Sequence, residues 1–197
     1  MVVTEQRPSR SDKGAQTQAR IIAQARGVLV SDGYDAVVMR AVADAVDIKL
    51  GNLQYYFPTR DHLLLAVMAA EASSDIDDIR AIAKSGLPPR EALASLVNEL
   101  VSKWRSDSGV VFAALGFLRT HKPDFEVAYR NTYAAFYREI EGAIEHAIPG
   151  LAPEEYRRRA RLLTALIDGA AAQIDVGPRA DYLDTVADLA VKIALTP

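Results

Sequence analysis

The sequence predicts an all-α fold, and three observations carry that prediction. Apolar residues recur at spacings of three and four along most of the chain, no stretch of useful length alternates as a strand does, and glycines and prolines fall between the periodic stretches. With 197 residues, half of them apolar, the chain can bury a full core. Neither an internal repeat nor a low-complexity tract interrupts it. Three parts are expected: a polar arm over 1–14, a small three-helix module over 15–58 and a larger helical domain over 59–197.

The arm carries Arg7, Arg10 and Lys13 against Glu5 and Asp12 with no apolar period, the pattern of a flexible segment. From Ala15 onward, Ile21, Ile22, Ala25, Val28 and Leu29 give a first helix, which Gly33 ends near Asp32 by supplying left-handed backbone. Two short helices follow over 38–46 and 49–55, the second stopped by Pro58. Thr59 can cap a long fourth helix, whose apolar positions Leu63, Leu64, Val67, Met68, Ala72, Ile76 and Ile79 repeat near 3.6 and run out near Gly86. Pro88 and Pro89 open a fifth, with Leu93, Leu96, Val97, Leu100, Val101 and Trp104 along one stripe. A weaker break over 106–109 precedes a mostly apolar segment to Leu118. Pro123 then starts a helix bearing Phe125, Tyr129, Tyr133, Phe136, Ile140 and Ile144, closed by Pro149 and Gly150. The last third holds two helical segments, 153–174 and 180–195, divided by Gly177 and Pro178. Over 160–174 only Arg161 and Asp168 are charged, so this helix is expected to be buried on more than one side, in the core or, as preferred here, against a partner.

Charge narrows the function. A net charge of −3 is wrong for a protein that coats nucleic acid by charge alone, so any such contact must be local. Residues 1–62 hold eight Lys/Arg and seven Asp/Glu, a local +1 against −4 for the remainder. The lack of cysteine removes disulfides, thiolate metal ligands and a Cys nucleophile, and suits a reducing cytoplasm. No signal-peptide core and no run of about 18 apolar residues is visible, so a soluble cytoplasmic protein with no membrane partner is expected. His62, His121 and His146 lack metal-ligand spacing, so no metal or other cofactor is expected. No Glu-x-x-His pair, phosphate loop or nucleophile elbow occurs, so there are no catalytic residues to nominate and the chain reads as a non-enzyme.

The segment GYDAVVMRAVADAVDIKLGNLQYYFPTRDHLLLAV is the most specific part of the chain. Val42, Val46, Ile48, Leu53 and Phe57 have the spacing to pack two short helices on the first and fix the angle of the second. The combination of Gly33-Tyr34, Val42-Ala43, Gly51-x-Leu53-x-Tyr55-Tyr56-Phe57 and a capping Thr59 resembles the DNA-binding region of tetracycline-repressor-like regulators. The resemblance covers about the first third of the chain and implies a helix-turn-helix that reads double-stranded operator DNA. The exposed start of such a recognition helix approaches base edges in the major groove. Lys49 can donate to guanine or phosphate, Asn52 and Gln54 can pair with adenine, Leu50 can meet a thymine methyl, and Gly51 admits close backbone approach. The resemblance assigns phosphate contacts to Arg40, Tyr55, Tyr56 and Arg60. This chain departs from the usual pattern in having Asp47 where the turn commonly holds Gly, and Lys49 and Val38 where helix caps commonly hold a hydroxyl. Gln54 and Tyr55 stand for the more frequent Tyr and His, which implies a distinct base preference.

The same resemblance implies a homodimer whose C-terminal helices enclose a small-molecule effector. It offers Trp104, Phe112, Phe117, Tyr129, Tyr133 and Phe136 as cavity lining, with Arg119 and His121 nearby, although aromatics at helical spacing more often simply pack a core. Leu162, Leu166, Gly169 and Ala170 resemble a dimerisation helix; Asp168 within it can pair in that interface or face the cavity. Arg157, Arg158, Arg159 and Arg161 read as a solvated face paired with Glu154 and Glu155 rather than a second nucleic-acid patch. The implied function is a transcriptional repressor released from a palindromic operator by its effector; the alternative is a helical protein-interaction module without DNA binding.

Overall fold

The structure, a computed structural model, describes residues 10–173 and 181–196. Among these residues there are α-helices and one 3-10 turn and no strand, as the periodicity predicts: α1 Arg10–Asp32, α2 Met39–Ala45, α3 Leu50–Tyr56, α4 Arg60–Ala83, α5 Pro89–Arg105, α6 Asp107–Leu118, α7 Pro123–Ala147, α8 Pro153–Gln173 and α9 Tyr182–Leu195. The expected division at Gly177 and Pro178 and residues 1–9 of the arm lie outside the described residues. The chain forms two compact units, Met1–Val67 and Met68–Pro197, so the division falls inside α4 and not at Pro58. Apolar positions occupy successive turns of α4 on both sides of it, Leu63, Leu64 and Val67 before and Met68, Ala72 and Ile79 after, all buried.

In the first unit α1 begins at Arg10, five residues ahead of the start expected from apolar spacing. Lys13 and the residues after it are mostly exposed, so this turn has no buried face to register as a period; the Thr17 hydroxyl hydrogen-bonds back to the Lys13 carbonyl at 2.9 Å. Ile21, Ala25 and Leu29 are completely buried at spacing four, as are Val37, Ala43 and Leu53, and Val42 is 1% exposed. Gly33 ends α1 with φ 85° and ψ 179°, a backbone region essentially reserved for glycine.

In the second unit α5 buries Leu93, Leu96, Val97, Leu100 and Val101, the stripe read from the sequence. The break before α6 is a single residue, Ser106, shorter than expected, and Gly109 explains how so tight a junction closes. A Cβ at Gly109 would stand 1.7 Å from the Trp104 carbonyl oxygen, so no other residue fits without moving backbone. Phe125, Phe136, Ile140 and Ile144 of α7 and Tyr156, Ala160, Leu163 and Ile167 of α8 complete the core with Val186, Ala190, Val191 and Ala194 of α9. Arg159, also buried, donates to the Ala194 carbonyl at 2.8 Å and so satisfies an otherwise open carbonyl at the end of α9. The arginine face is only partly the solvated, paired surface expected: exposed Arg158 pairs with Glu155 at 2.7 Å, but Arg159, which pairs with the same carboxylate at 2.6 Å, is buried because it reaches across to α9. Those two hydrogen bonds hold the Glu155 carboxyl down to about 2.

Candidate nucleic-acid interface and effector cavity

The angle of α3 is set by a helix-ending motif at the close of α2. Asp47 takes φ 55°, its N–H donates to the Asp44 carbonyl at 3.1 Å, and the Ile48 N–H reaches the Ala43 carbonyl at 3.0 Å. These are the two bonds of a Schellman cap, with aspartate holding the left-handed position that glycine usually fills. Arg20 of α1 adds a bond from its guanidinium to the Val46 carbonyl at 2.7 Å. Sequence reasoning missed this tie, since Arg20 lies 26 residues from Val46 and carries no motif.

Leu53 and Phe57 of the α3 segment are buried, and Leu50 is half-buried beside them. The intervening positions therefore face outward: Lys49, Gly51, Asn52 and Gln54 are exposed, and Tyr55 is 82% exposed. Tyr56 sits edge-on to Tyr55 with ring centroids 5.4 Å apart and is half-buried, its hydroxyl 3.8 Å from where a Gly14 Cβ would stand. Arg40 is exposed on α2. Arg60 differs. Its guanidinium donates to the Tyr34 carbonyl and lies 4.0 Å over the Tyr34 ring, so it fastens the start of α4 to the 3-10 turn at Tyr34–Ala36. Thr59 caps α4 as expected, accepting the His62 N–H at 3.3 Å. Val38 and Lys49 precede α2 and α3 without a side-chain cap, in keeping with their departure from the usual hydroxyl.

Trp104 and Phe112 of α5 and α6, with Tyr129 and Tyr133 of α7 and Asp168 of α8, surround a cavity of about 510 Å³. That volume suits a small organic molecule. Trp104 packs against Phe112 at 5.1 Å and is held from behind by α4, its Nε1 donating to Asp75 Oδ2 at 2.8 Å. Asp75 is completely buried, and burial pushes its carboxyl up despite the lowering influence of Lys103, whose Nζ lies 2.8 Å from Oδ1, and of Trp104. Burial pulls Lys103 down too, but Asp75 and Asp78 outweigh it and leave the ammonium raised. Both values therefore rise, for different reasons: burial disfavours the charge of Asp75, which has no access to water, whereas Lys103 keeps partial access and its two carboxylate partners favour its charge.

Of the lining expected from sequence, Trp104, Phe112, Tyr129 and Tyr133 bound the cavity. Phe136 is not on its wall: it is core, 5.7 Å behind Trp104. Phe117 is 66% exposed and stacks on His121 at 5.3 Å, on the opposite side of its helix from buried Leu115. Asp168, open between two roles in the sequence, faces the cavity and accepts from the Tyr133 hydroxyl at 2.9 Å. On α8, Leu162 is 45% exposed and Leu166 and Gly169 are half-buried, whereas Ala170 is turned into the core of the unit.

A buried three-helix scaffold presenting one exposed helix start, joined in one chain to a helical unit with an aromatic cavity, defines a helix-turn-helix protein with a helical C-terminal domain. The chain matches the family "Bacterial regulatory proteins, tetR family" over residues 21–67 and "BetI-type transcriptional repressor, C-terminal" over residues 89–193. It belongs to the tetR family of bacterial regulators. It is similar to the HTH-type transcriptional repressor KstR of Mycobacterium tuberculosis, 33% identical over 90 residues, 46% of this chain and 41% of that protein. The alignments to three KstR proteins span less than half of those relatives' length. The HTH-type transcriptional regulator PksA of Bacillus subtilis is 25% identical over 154 residues, 77% of this chain and 75% of that protein. Among solved structures, a tetR-family regulator from Mesorhizobium loti shares the fold with a TM-score of 0.79 at 16% identity, covering 95% of this chain and 98% of that one. A regulator from Saccharomonospora viridis, solved in complex with choline, has a TM-score of 0.69 at 21% identity, covering 89% and 94%.

Proposed function

We propose that this protein is a sequence-specific transcriptional repressor, a homodimer that binds a palindromic operator with two copies of α3 and is released by a small-molecule effector. The observation that carries the reading is the sidedness of α3: Leu53 is fully buried while Lys49, Asn52, Gln54 and Tyr55 stand exposed on the other face. A helix anchored in this way reads base edges with its free face. Tyr55 and Arg40 reach phosphate; Arg60, spent on Tyr34, orients the start of α4 instead. The effector belongs in the cavity beside Trp104, and it acts by binding the operator-free arrangement better than the operator-bound one. A repressor of this kind works in the cytoplasm, where the chromosome is. No helix among the described residues is long and apolar enough to cross a membrane.

Selection of bound sequences from a random duplex pool, at near-physiological salt, tests this. An inverted repeat should be enriched, and Lys49→Ala with Asn52→Ala should weaken its binding by about 1–3 kcal/mol per lost base contact. Absence of enrichment above bulk DNA, with and without cell-extract metabolites, overturns the DNA-binding reading in favour of a protein-interaction module.

A further inference from the structure

The polar groups of the cavity converge on one atom pair. The Tyr129 hydroxyl donates to the Tyr133 hydroxyl at 3.2 Å, and Tyr133 donates to Asp168 Oδ2 at 2.9 Å, so both hydroxyl protons are used in a chain that ends on the carboxylate. Burial and the neighbouring Asp168 push the Tyr133 hydroxyl well above its ordinary range, so it stays protonated and remains a donor. The other carboxylate oxygen, Oδ1, is buried with no hydrogen-bond partner. An ionised oxygen removed from water without a partner is costly, and a ligand that supplies positive charge recovers that cost.

The rest of the wall agrees with positive charge. The negative faces of aromatic rings attract a cation, and Trp104, Phe112, Tyr129 and Tyr133 all stand around the space beside Asp168. Gly116 lets Tyr129 come in close, since a Cβ there would be 3.2 Å from the ring. Other charges face Asp168 from each side. Arg105 is exposed at the rim of this cavity, where water screens it. Arg119, Arg130 and Arg161 line an adjoining cavity that Tyr129, Tyr133 and Asp168 also border, and each is engaged: Arg119 over Tyr129 at 4.5 Å, Arg130 with Glu126 at 2.5 Å, Arg161 over Tyr137 at 5.8 Å. Arg119, Arg130 and Arg161 make no ion pair with Asp168 among the described contacts, and the influence that lowers its carboxyl is the Tyr133 hydrogen bond.

We propose that the cavity binds a small organic cation, an amine or quaternary ammonium with an apolar body, whose charge lies beside the Asp168 carboxylate between the rings of Trp104, Phe112, Tyr129 and Tyr133. The proposal rests on the reading of this cavity as the effector site and names the class of effector. Burial raises the Asp168 carboxyl to about 6, against the lowering influence of Tyr133, so the site ionises within the physiological range. Cation binding therefore strengthens as pH rises through 6 and weakens below it.

The test uses full-length protein without DNA, reading the fluorescence of Trp104, the only tryptophan in the chain, with calorimetry as a second readout. Benzyltrimethylammonium is compared with its neutral carbon isostere neopentylbenzene and with benzoate. The cation should bind at least about tenfold tighter than the isostere, and benzoate weakest. Asp168→Asn keeps the shape of the side chain; it should reduce the cation to the affinity of the isostere and leave the isostere unchanged. On the unaltered protein, which removes any question of folding, lowering the pH from 7.5 to 5 should cost the cation about tenfold and the isostere nothing. Equal binding of cation and isostere, a preference that survives Asp168→Asn, or no binding by the cation overturns the proposal. An enriched operator without charge preference would leave the repressor reading intact and remove only this one; charge preference without an operator would do the reverse.

Discussion

Asp75 and Asp168 show how the surroundings of one residue type set its role. Both are carboxylates whose burial pushes them above the ordinary range. Asp75 has a lysine and an indole N–H beside it and belongs to the framework; Asp168 has one phenol and a buried oxygen without a hydrogen-bond partner, and borders the cavity. The difference has a sign that pH can read. Because the folded-state value of Asp168 lies near 6 and the unfolded value near 3.8, its contribution to stability is present below pH 3.8 and is lost as pH rises through 6. Asp168→Asn carries no charge to desolvate, so it should be more stable than the parent at pH 7.5, by about 1–2 kcal/mol after allowance for partial exposure, with the gain vanishing near pH 4. Urea unfolding at the two pH values measures this. A variant less stable at pH 7.5 would mean that the carboxylate is already neutralised in the folded protein.

At the scale of the element, α3 shows stability given up for contact. Lys49 precedes the helix with extended backbone at φ −70° and ψ 145°, the geometry of an N-cap, yet its side chain makes no cap bond. Lys49→Ser should raise stability by about 0.5–2 kcal/mol through the missing cap. If Lys49 meets phosphate, the same change should weaken operator binding and lower the slope of log affinity against log salt by about one. Melting and salt-dependent binding on one variant separate the two effects, and a rise in both stability and affinity would remove Lys49 from the interface. The elements themselves were legible because their signals are local: Gly33, Pro58, Thr59 and the paired prolines at 88–89 punctuate helices by backbone rules that need no tertiary information. Orientation was less so. Phe117 and Phe136 carry the same residue type in apolar helical segments, and only packing makes one a surface ring and the other core. The Arg20–Val46 and Arg159–Ala194 bonds join residues 26 and 35 apart, a distance over which pattern is silent. Asp168 was visible as a lone carboxylate in an apolar run, but its choice of the cavity depends on Tyr133 lying opposite, 35 residues earlier.

The whole molecule turns on whether two chains pair, since a single α3 meets only half a palindrome. Leu162, Leu166 and Gly169 follow one another at spacings of four and three along α8, and Leu162 borders a groove with Ile193 of α9, one turn beyond Leu189, which is 46% exposed. Apolar side chains left open on the last two helices are what an isologous contact would cover. Gly169 offers the sharpest probe, because a Cβ there meets nothing within 4 Å inside the protomer. Gly169→Arg should therefore be tolerated by the fold, and replacing a mid-helix glycine should even stabilise α8 by about 0.5–1 kcal/mol. Across a subunit interface the same side chain would be a wedge carrying a charge to be desolvated. The expected outcome is a folded chain of monomer mass, 21.4 kDa, by light scattering, with helical content retained and palindrome binding reduced to that of a half-site. A variant that still elutes as a dimer would move the interface away from this face of α8, and a variant that unfolds would show that Gly169 serves the protomer.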